Sequence, residues 1–365
     1  MSYLNVDEVE TVLGNLAAQY LNESRLIRLP ESTCEGRVCH AVWFGQGQPG
    51  TKDVFMIIGG VHGLEWGSCE IALNFITDLL DPSASTNGLQ YGQKLFSGPD
   101  IANLRSAVEF VVFPLVNPDG RKHSQGGSAW RKNRNDTYSK GFPNRIGVDI
   151  NRNFDFLFDF DTTLVPQSGV SASDDTSEGT YHGPSPFSEP ETRNVRSLLD
   201  QFPSTRWFVD LHSCSGNVLH VWGDDQMQTV DSTMRFDVPA CNGKRGKRDD
   251  DYSEYIDPGD LKQVDLLAQA FTDNLHVVRG ETYGIQSGFD YGLSCGASHD
   301  YAYSRGALGF AVEWGHVFQP DWTEMQCVIK DVTAGLIGMS IAASTPVHQQ
   351  NENGVWADAS STEPA

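Results

Sequence analysis

Apolar positions along this chain change their period several times, and each change marks an element. Val9, Val12, Leu13, Leu16, Ala17 and Tyr20 recur at three and four residues behind Asn5, which predicts a capped helix over 6–20. Unbroken apolar runs then predict strands at 40–44, 54–61, 108–116, 207–212, 218–222 and 308–314. Helical spacing returns at 68–80, 189–201, 261–275 and 323–343. Strands alternating with helices imply a layered α/β fold with a largely parallel or mixed sheet. Sheets of that kind present reactive groups just beyond their strand ends.

Three polar stretches, 120–147, 159–186 and 223–260, are too long to be idle connectors, so each is expected to build a functional surface or to move. Within the last, Lys244-Arg245-Gly246-Lys247-Arg248 followed by three aspartates reads as a solvated loop, with a protease-processing site as the alternative. Residues 345–365 lose all periodicity and are rich in Ser, Glu, Asn, Pro and Thr, the composition of a disordered tail or linker. No repeat or composition break divides residues 1–344, which therefore read as one domain.

Composition narrows the function classes. A net charge of −22 would repel phosphates and argues against nucleic acid; it suits positively charged substrates, salt or plain solubility. No apolar run approaches the roughly 18 residues that span a bilayer, so no membrane role is expected. The N-terminus lacks a basic segment followed by an apolar one, so no signal peptide is visible. A cytoplasmic protein and the mature form of a secreted one both remain open. Seven cysteines, without a C-x-x-C pair, disfavour a zinc ribbon and a full disulfide framework but leave one or two disulfides open. Sequons at Asn22 and Asn135 matter only in a eukaryotic secreted protein.

The chemistry centres on Gly-Gly-Val-His62-Gly-Leu-Glu65-Trp, which follows the apolar run ending near Ile58. On a helical turn, residues three apart share a face, so the imidazole and the carboxylate can grip one metal ion. Chance can supply one such match, and its meaning depends on a third ligand. Phe208-Val-Asp-Leu-His212-Ser is a buried-looking strand ending in a histidine. Two nitrogens and one carboxylate leave a fourth position for water, the pattern of a catalytic site. Leu308-Gly-Phe-Ala-Val-Glu313-Trp is an apolar strand ending in a carboxylate, and a glutamate there needs a reason because an unpaired buried charge is expensive. A strand-end salt bridge is the plainer alternative. Val148-Asp149-Ile-Asn151-Arg152-Asn153, preceded by Trp130-Arg131-Lys-Asn-Arg134 and Val116-Asn-Pro-Asp-Gly120, offers a guanidinium fork and an amide suited to a carboxylate. Arg134 reads as a surface ion pair.

From residue 3 to residue 343 these motifs arrive in the order found in zinc metallocarboxypeptidases of the carboxypeptidase A type, which the chain resembles. The Glu35-Gly-Arg37 turn resembles that family's first β-turn. The resemblance implies a single-domain, three-layer fold with a mixed, mostly parallel sheet flanked by helices. It implies a monomer that carries one Zn2+ and acts on peptide or protein C-termini. His62, Glu65 and His212 match the zinc ligands, and Asp149 matches the carboxylate that fixes the first histidine's other nitrogen. Glu313 matches the general base that activates the zinc-bound water and later protonates the leaving amine, and Arg131 matches the group that stabilises the oxyanion. Asn151, Arg152 and a mobile tyrosine match the binders of the substrate's terminal carboxylate.

Tyr291 is the tyrosine chosen, although Tyr291-Gly-Leu-Ser-Cys-Gly-Ala-Ser-His299-Asp300 carries one residue more than the family's loop. Tyr301 and Tyr303 are expected to pack after it. Leu64 and Ser128 replace arginines common in the family, which puts binding of long peptides in doubt. His299 stands at the base of the specificity pocket, where Ala311 and Gly223 leave room. Large neutral or aromatic C-terminal residues are the expected preference, with an acidic preference through protonated His299 as the alternative. Rival functions are a murein or γ-glutamyl peptidase of the same fold, an inactive module that binds peptide tails, and a protein whose His and Glu are structural.

Overall fold

A computed structural model describes residues 2–345; of the tail expected at 345–365, all but Thr345 lies outside the described residues. Helix α1 spans Val6–Gln19 and starts at a reciprocal cap, in which Asn5 accepts from the Glu8 amide and the Glu8 carboxylate accepts from the Asn5 amide. Eight strands form the main sheet: β1 Ser24–Arg28, β2 His40–Phe44, β3 Val54–Gly59, β4 Glu109–Phe113, β5 Thr205–His212, β6 Asn217–His220, β7 Gly284–Ser287 and β8 Leu308–Glu313. Their spatial order is β1-β2-β4-β3-β5-β8-β6-β7. The four central strands, β4, β3, β5 and β8, run parallel, as do β6 and β7, while β1–β2, β2–β4 and β8–β6 pair antiparallel. The sheet is mixed and mostly parallel, as the sequence implied.

Alternation along the strands feeds two cores. Val42 and Phe44 of β2 face one side, with Phe55, Ile57, Val209, Leu211, Phe310 and Val312, while Ala41 and Trp43 face the other, with Met56, Ile58 and Phe208. The first core is covered by α1, α2 (Gly67–Leu80), α6 (Pro258–Arg279) and α8 (Trp322–Ser344). The second is covered by α5 (Pro190–Gln201) and by α7 (Ser298–Ser304). Helices on both faces give three layers. Helix α8 is long and apolar enough to cross a membrane, with mean hydropathy 1.4 over its most apolar stretch, yet 67% of that stretch is buried inside the protein. Its apolarity is that of a core helix packed on α2 and α6.

Several local expectations change. His62 and Glu65 do not lie on a helix: β3 stops at Gly59, the two residues sit in a turn closed by Glu65 N donating to His62 O (3.2 Å), and α2 begins at Gly67. The polar stretch at 120–147 starts inside α4 (Pro118–Gln125), and α3 (Gly98–Ala107) is an additional helix that the hydrophobic pattern does not announce. Arg245 is fully buried, so the basic run at 244–248 is not simply solvated. No disulfide joins the seven cysteines. The Asn135 amide is buried and donates to Glu189, whereas Asn22 is exposed.

Candidate metal centre

Three neighbouring parallel strands end where the chemistry collects. In register, Gly59 of β3 stands beside Leu211 of β5, and His212 of β5 stands beside Glu313 of β8. Because side chains alternate, Asp210 and His212 share a face of β5, and Glu313 projects to the same side of the sheet. The loop after β3 brings His62 and Glu65 over the end of β5. Its path is fixed by Asn117, whose amide donates to Val61 O (3.0 Å) and Lys132 O (3.2 Å), and by Gly63 N donating to Arg131 O (3.0 Å). A Cβ at Gly63 would lie 2.4 Å from the carbonyl carbon of Gly120, so only glycine fits between His62 and Glu65 in this turn.

One ligand atom each from His62, Glu65 and His212 falls within 4.8 Å of the others, and all three side chains are buried. The two Nδ1 atoms are 3.1 Å apart, Glu65 Oε1 is 2.8 Å from His62 Nδ1, and Glu65 Oε2 is 3.1 Å from His212 Nδ1. The outer ring nitrogens fix the tautomers. His62 Nε2 donates to Asp149 Oδ1 (3.2 Å), and His212 Nε2 faces Asp210 Oδ2 at 2.8 Å. With a proton on each Nε2, both Nδ1 lone pairs and the Glu65 carboxylate point at one another, an arrangement that a cation at their centre satisfies. The donor set therefore fits a metal ion. Burial alone would raise Glu65, but His62 and His212 prevail and hold its pKa at about 2.

Asp149 binds the centre to its surroundings. Its Oδ2 accepts from Arg131 Nε (2.9 Å) and its Oδ1 accepts from Asn151 N (3.0 Å). Burial opposes its charge, yet Arg131 and then His62 keep its pKa far below the usual carboxylate range. Among the described residues, the terminal nitrogens of Arg131 make no hydrogen bond, and its side chain is partly open to solvent. Glu313 is 9% exposed, its buried Oε2 has no hydrogen-bond partner, and burial pushes its pKa up to about 7 against the pull of His212.

Around this centre the remaining residues take distinct positions. Asn151 Oδ1 accepts from Ser298 N (2.8 Å), and its Nδ2 stands 3.2 Å from His212 Nε2. Arg152 donates to Ser171 O, to Asn151 O (2.6 Å) and to Ser171 Oγ (3.3 Å). Tyr291 is 46% exposed at the end of a short helix after β7. Tyr301 lies between the rings of Phe154 and Phe187, and Tyr303 donates to Asp260. Arg134 covers the Trp130 ring at 4.6 Å and faces Glu35 at 3.9 Å. His299 is buried with neither ring nitrogen bonded, and burial, His212 and Arg152 push its pKa down to about 3. Gly223 does not leave open space, because Asp300 Oδ2 would be 2.6 Å from a Cβ there. Leu64 is half-buried, and its carbonyl accepts from Gln319 (2.8 Å).

Sequence reasoning missed Asp210, Ser298 and Ser171. Asp210 had a signal: an aspartate two positions before a strand-end histidine lies on the same face. Ser298, which donates to Asp210 Oδ2 (2.6 Å), and Ser171 arrive through long loops and have none.

Residues 9–332 match the model of the family described as zinc carboxypeptidase. Carboxypeptidase B of Astacus astacus is 29% identical over 313 residues, covering 85% of this chain and 84% of that protein. Carboxypeptidase A2 of Rattus norvegicus is 28% identical over 316 residues, which cover 86% of this chain but 62% of the rat protein, under two thirds of its length. Among solved structures, the carboxypeptidase A from Helicoverpa armigera superposes with a TM-score of 0.71 over 93% of this chain and 74% of that one. At 21% identity, that likeness speaks for the fold.

Proposed function

The chain belongs to the zinc carboxypeptidase family, and from that premise we propose that residues 1–344 form a zinc-dependent exopeptidase that hydrolyses the last peptide bond of peptides and proteins. The observation that carries this reading is the inward convergence of His62 Nδ1, Glu65 and His212 Nδ1, with Glu313 one strand away in register with His212. His62, Glu65 and His212 would hold the ion, which when bound supplies a Lewis acid that acidifies water and polarises a carbonyl.

The protein's own groups do the rest. Glu313 takes a proton from the attacking water at its unpartnered Oε2 and returns it to the departing amine; a carboxyl with a pKa near 7 is suited to both transfers. Arg131, steered through Nε by Asp149, directs its free nitrogens at the oxygen where negative charge develops. Arg152, through the N–H groups that Ser171 and Asn151 leave free, would receive the terminal carboxylate, and Asn151 lies beside it. Tyr291, exposed on its loop, is placed to close over that carboxylate. A pKa of about 3 leaves His299 neutral at working pH, so an acidic side-chain preference has no charge to rest on. Large neutral or aromatic C-terminal residues stay the proposed preference, in a pocket where Asp300 Oδ1 accepts from Gly223 N (3.2 Å).

Glu313→Gln is the direct test. Turnover of a blocked dipeptide should fall on the order of 10²–10⁴-fold while zinc content stays at one ion per chain. Unchanged turnover, or turnover that a chelator does not stop, would refute the proposal.

A further inference from the structure

The turn that carries His62 and Glu65 leans on a buried arginine that the proposed mechanism does not use. Arg121 is 1% exposed and engages all five of its N–H donors. Nε donates to Leu4 O (3.2 Å), Nη1 to Trp66 O (2.6 Å) and Cys69 Sγ (3.2 Å), and Nη2 to Leu4 O (2.6 Å) and Glu70 Oε1 (2.9 Å). Glu70 is buried as well, and its Oε1 also accepts from Leu4 N (2.8 Å). One guanidinium thus joins three segments that are distant in sequence. A buried ion pair gains little stability over apolar packing, so this one calls for another reason.

That reason lies one residue from a proposed metal ligand. Glu65 aims Oε1 at His62 Nδ1 (2.8 Å) and Oε2 at His212 Nδ1 (3.1 Å) at once, so its backbone has little freedom. Local bonds hold that backbone poorly. Trp66, at the cap of α2, makes no side-chain cap bond, and Ser68 N to Glu65 O and Cys69 N to Trp66 O are both 3.4 Å. Helix α4 supplies what the turn lacks: Gly120 backs Gly63, Arg121 holds Trp66 O, and Ser124 Oγ accepts from Trp66 Nε1 (3.1 Å). The N-terminal segment closes the brace. Gln125 donates to Leu4 O (2.9 Å), the Tyr3 ring meets Trp66 and Trp322 edge-on at 5.4 and 5.6 Å, and its hydroxyl donates to Pro320 O (2.7 Å). Gln319 donates to Leu64 O (2.8 Å), which ties the loop after Glu313 to the same turn.

We propose that Arg121, with Glu70 and the strap of residues 3–5, is a positioning group for the metal centre: it fixes the Trp66 carbonyl and through it the aim of Glu65. The proposal rests on the zinc reading of His62, Glu65 and His212. Arg121 acts through Trp66 and not on the substrate, since its donors are all engaged. A lysine at this position matches the charge of Glu70 but cannot hold Trp66 O, Leu4 O and Glu70 together as a fork does. Zinc affinity therefore depends on the shape of the cation as well as its charge.

The test measures zinc affinity by competition with a chelating dye. Arg121→Lys, and Arg121→Met joined with Glu70→Gln so that no acid is left unpaired, should each weaken zinc binding about 10–100-fold. KM for a blocked dipeptide at saturating zinc should stay that of the parent. Arg105→Met cuts another buried arginine, in α3, from Glu23 and from Ser85 (3.1 Å), and should lower stability without lowering affinity. Parent affinity in the folded Arg121 variants, or an equal loss in Arg105→Met, would overturn the proposal. The parent protein gives a second measurement, because coupling between the strap and the ion is reciprocal: zinc should slow hydrogen exchange at the Leu4 amide. Unchanged exchange there would overturn the proposal too. Zinc bound without cleavage of any dipeptide would refute the exopeptidase reading alone, and a parent that binds no zinc would refute both.

Discussion

The two histidines proposed to hold the metal are each faced at the outer nitrogen by an aspartate, and the two aspartates were not equally visible. Asp149 was read from Asp-Ile-Asn-Arg-Asn by resemblance, and it bonds both His62 and Arg131. Asp210 went unread because strand-end signals were sought in the histidine alone, yet it faces His212 Nε2 at 2.8 Å and takes a second bond from Ser298. Its carboxylate sets which nitrogen of His212 carries the proton, and so keeps Nδ1 as a lone pair. Asp210→Asn should therefore weaken zinc affinity about 10–100-fold, read by competition with a chelating dye, while the circular dichroism spectrum stays that of the parent. Unchanged affinity would mean that packing alone orients His212. Sequence places Gly223 and Asp300 far apart, and only the fold shows that Gly223 N donates to Asp300 Oδ1 (3.2 Å).

Elements were legible in proportion to how fully they are buried. The central strands β3, β5 and β8 are apolar on both faces and stand out as unbroken runs, whereas the edge strands β1 (Ser-Arg-Leu-Ile-Arg) and β7 (Gly-Ile-Gln-Ser) are largely exposed and leave no such trace. Helix α3 escaped notice because it is polar and short, and it is set by its cap: Ser97 accepts from Asp100 N while the Asp100 carboxylate accepts from Ser97. Contacts between elements lie beyond any periodicity. Gly309 of β8 shows this, since a Cβ there would lie 2.0 Å from His299 O. Helix α7 rests on the strand at that glycine, and α7 carries Ser298, His299 and Asp300. Gly309→Ala should force the helix outward, cost about 1–3 kcal/mol of stability and raise KM more than it lowers zinc affinity. Denaturant titration, kinetics and dye competition on one preparation separate these effects. An unchanged KM would show that α7 does not position the substrate pocket.

At the scale of the whole molecule, charge governs stability more than the composition alone reveals. A net charge of −22 could sit entirely on the surface, but several carboxyls are buried with raised pKa values: Glu191 about 8, from burial and Glu189; Asp225 about 7, from burial; and Asp331 about 6, from burial against Arg279. The folded state keeps protons on these groups that the unfolded chain loses near pH 4 to 4.5. Their contribution is complete below the unfolded pKa and is lost as pH rises through the folded values, between about 4 and 8. Glu65 and Asp149 act in the opposite sense: with depressed pKa values they stabilise above about pH 4.5 and lose that contribution as acid protonates them in the folded state. The two trends meet in mild acid. Metal-free protein should melt at a higher temperature at pH 5.5 than at pH 8.5, and added salt should raise the melting temperature more at pH 8.5, where neutral histidines leave the net negative charge greatest. Glu191→Gln removes one titrating group and should narrow the gap between the two pH values. Calorimetric scans of both proteins across that range supply the check, and a parent protein that is more stable at pH 8.5 would contradict the assignment of buried, protonated acids.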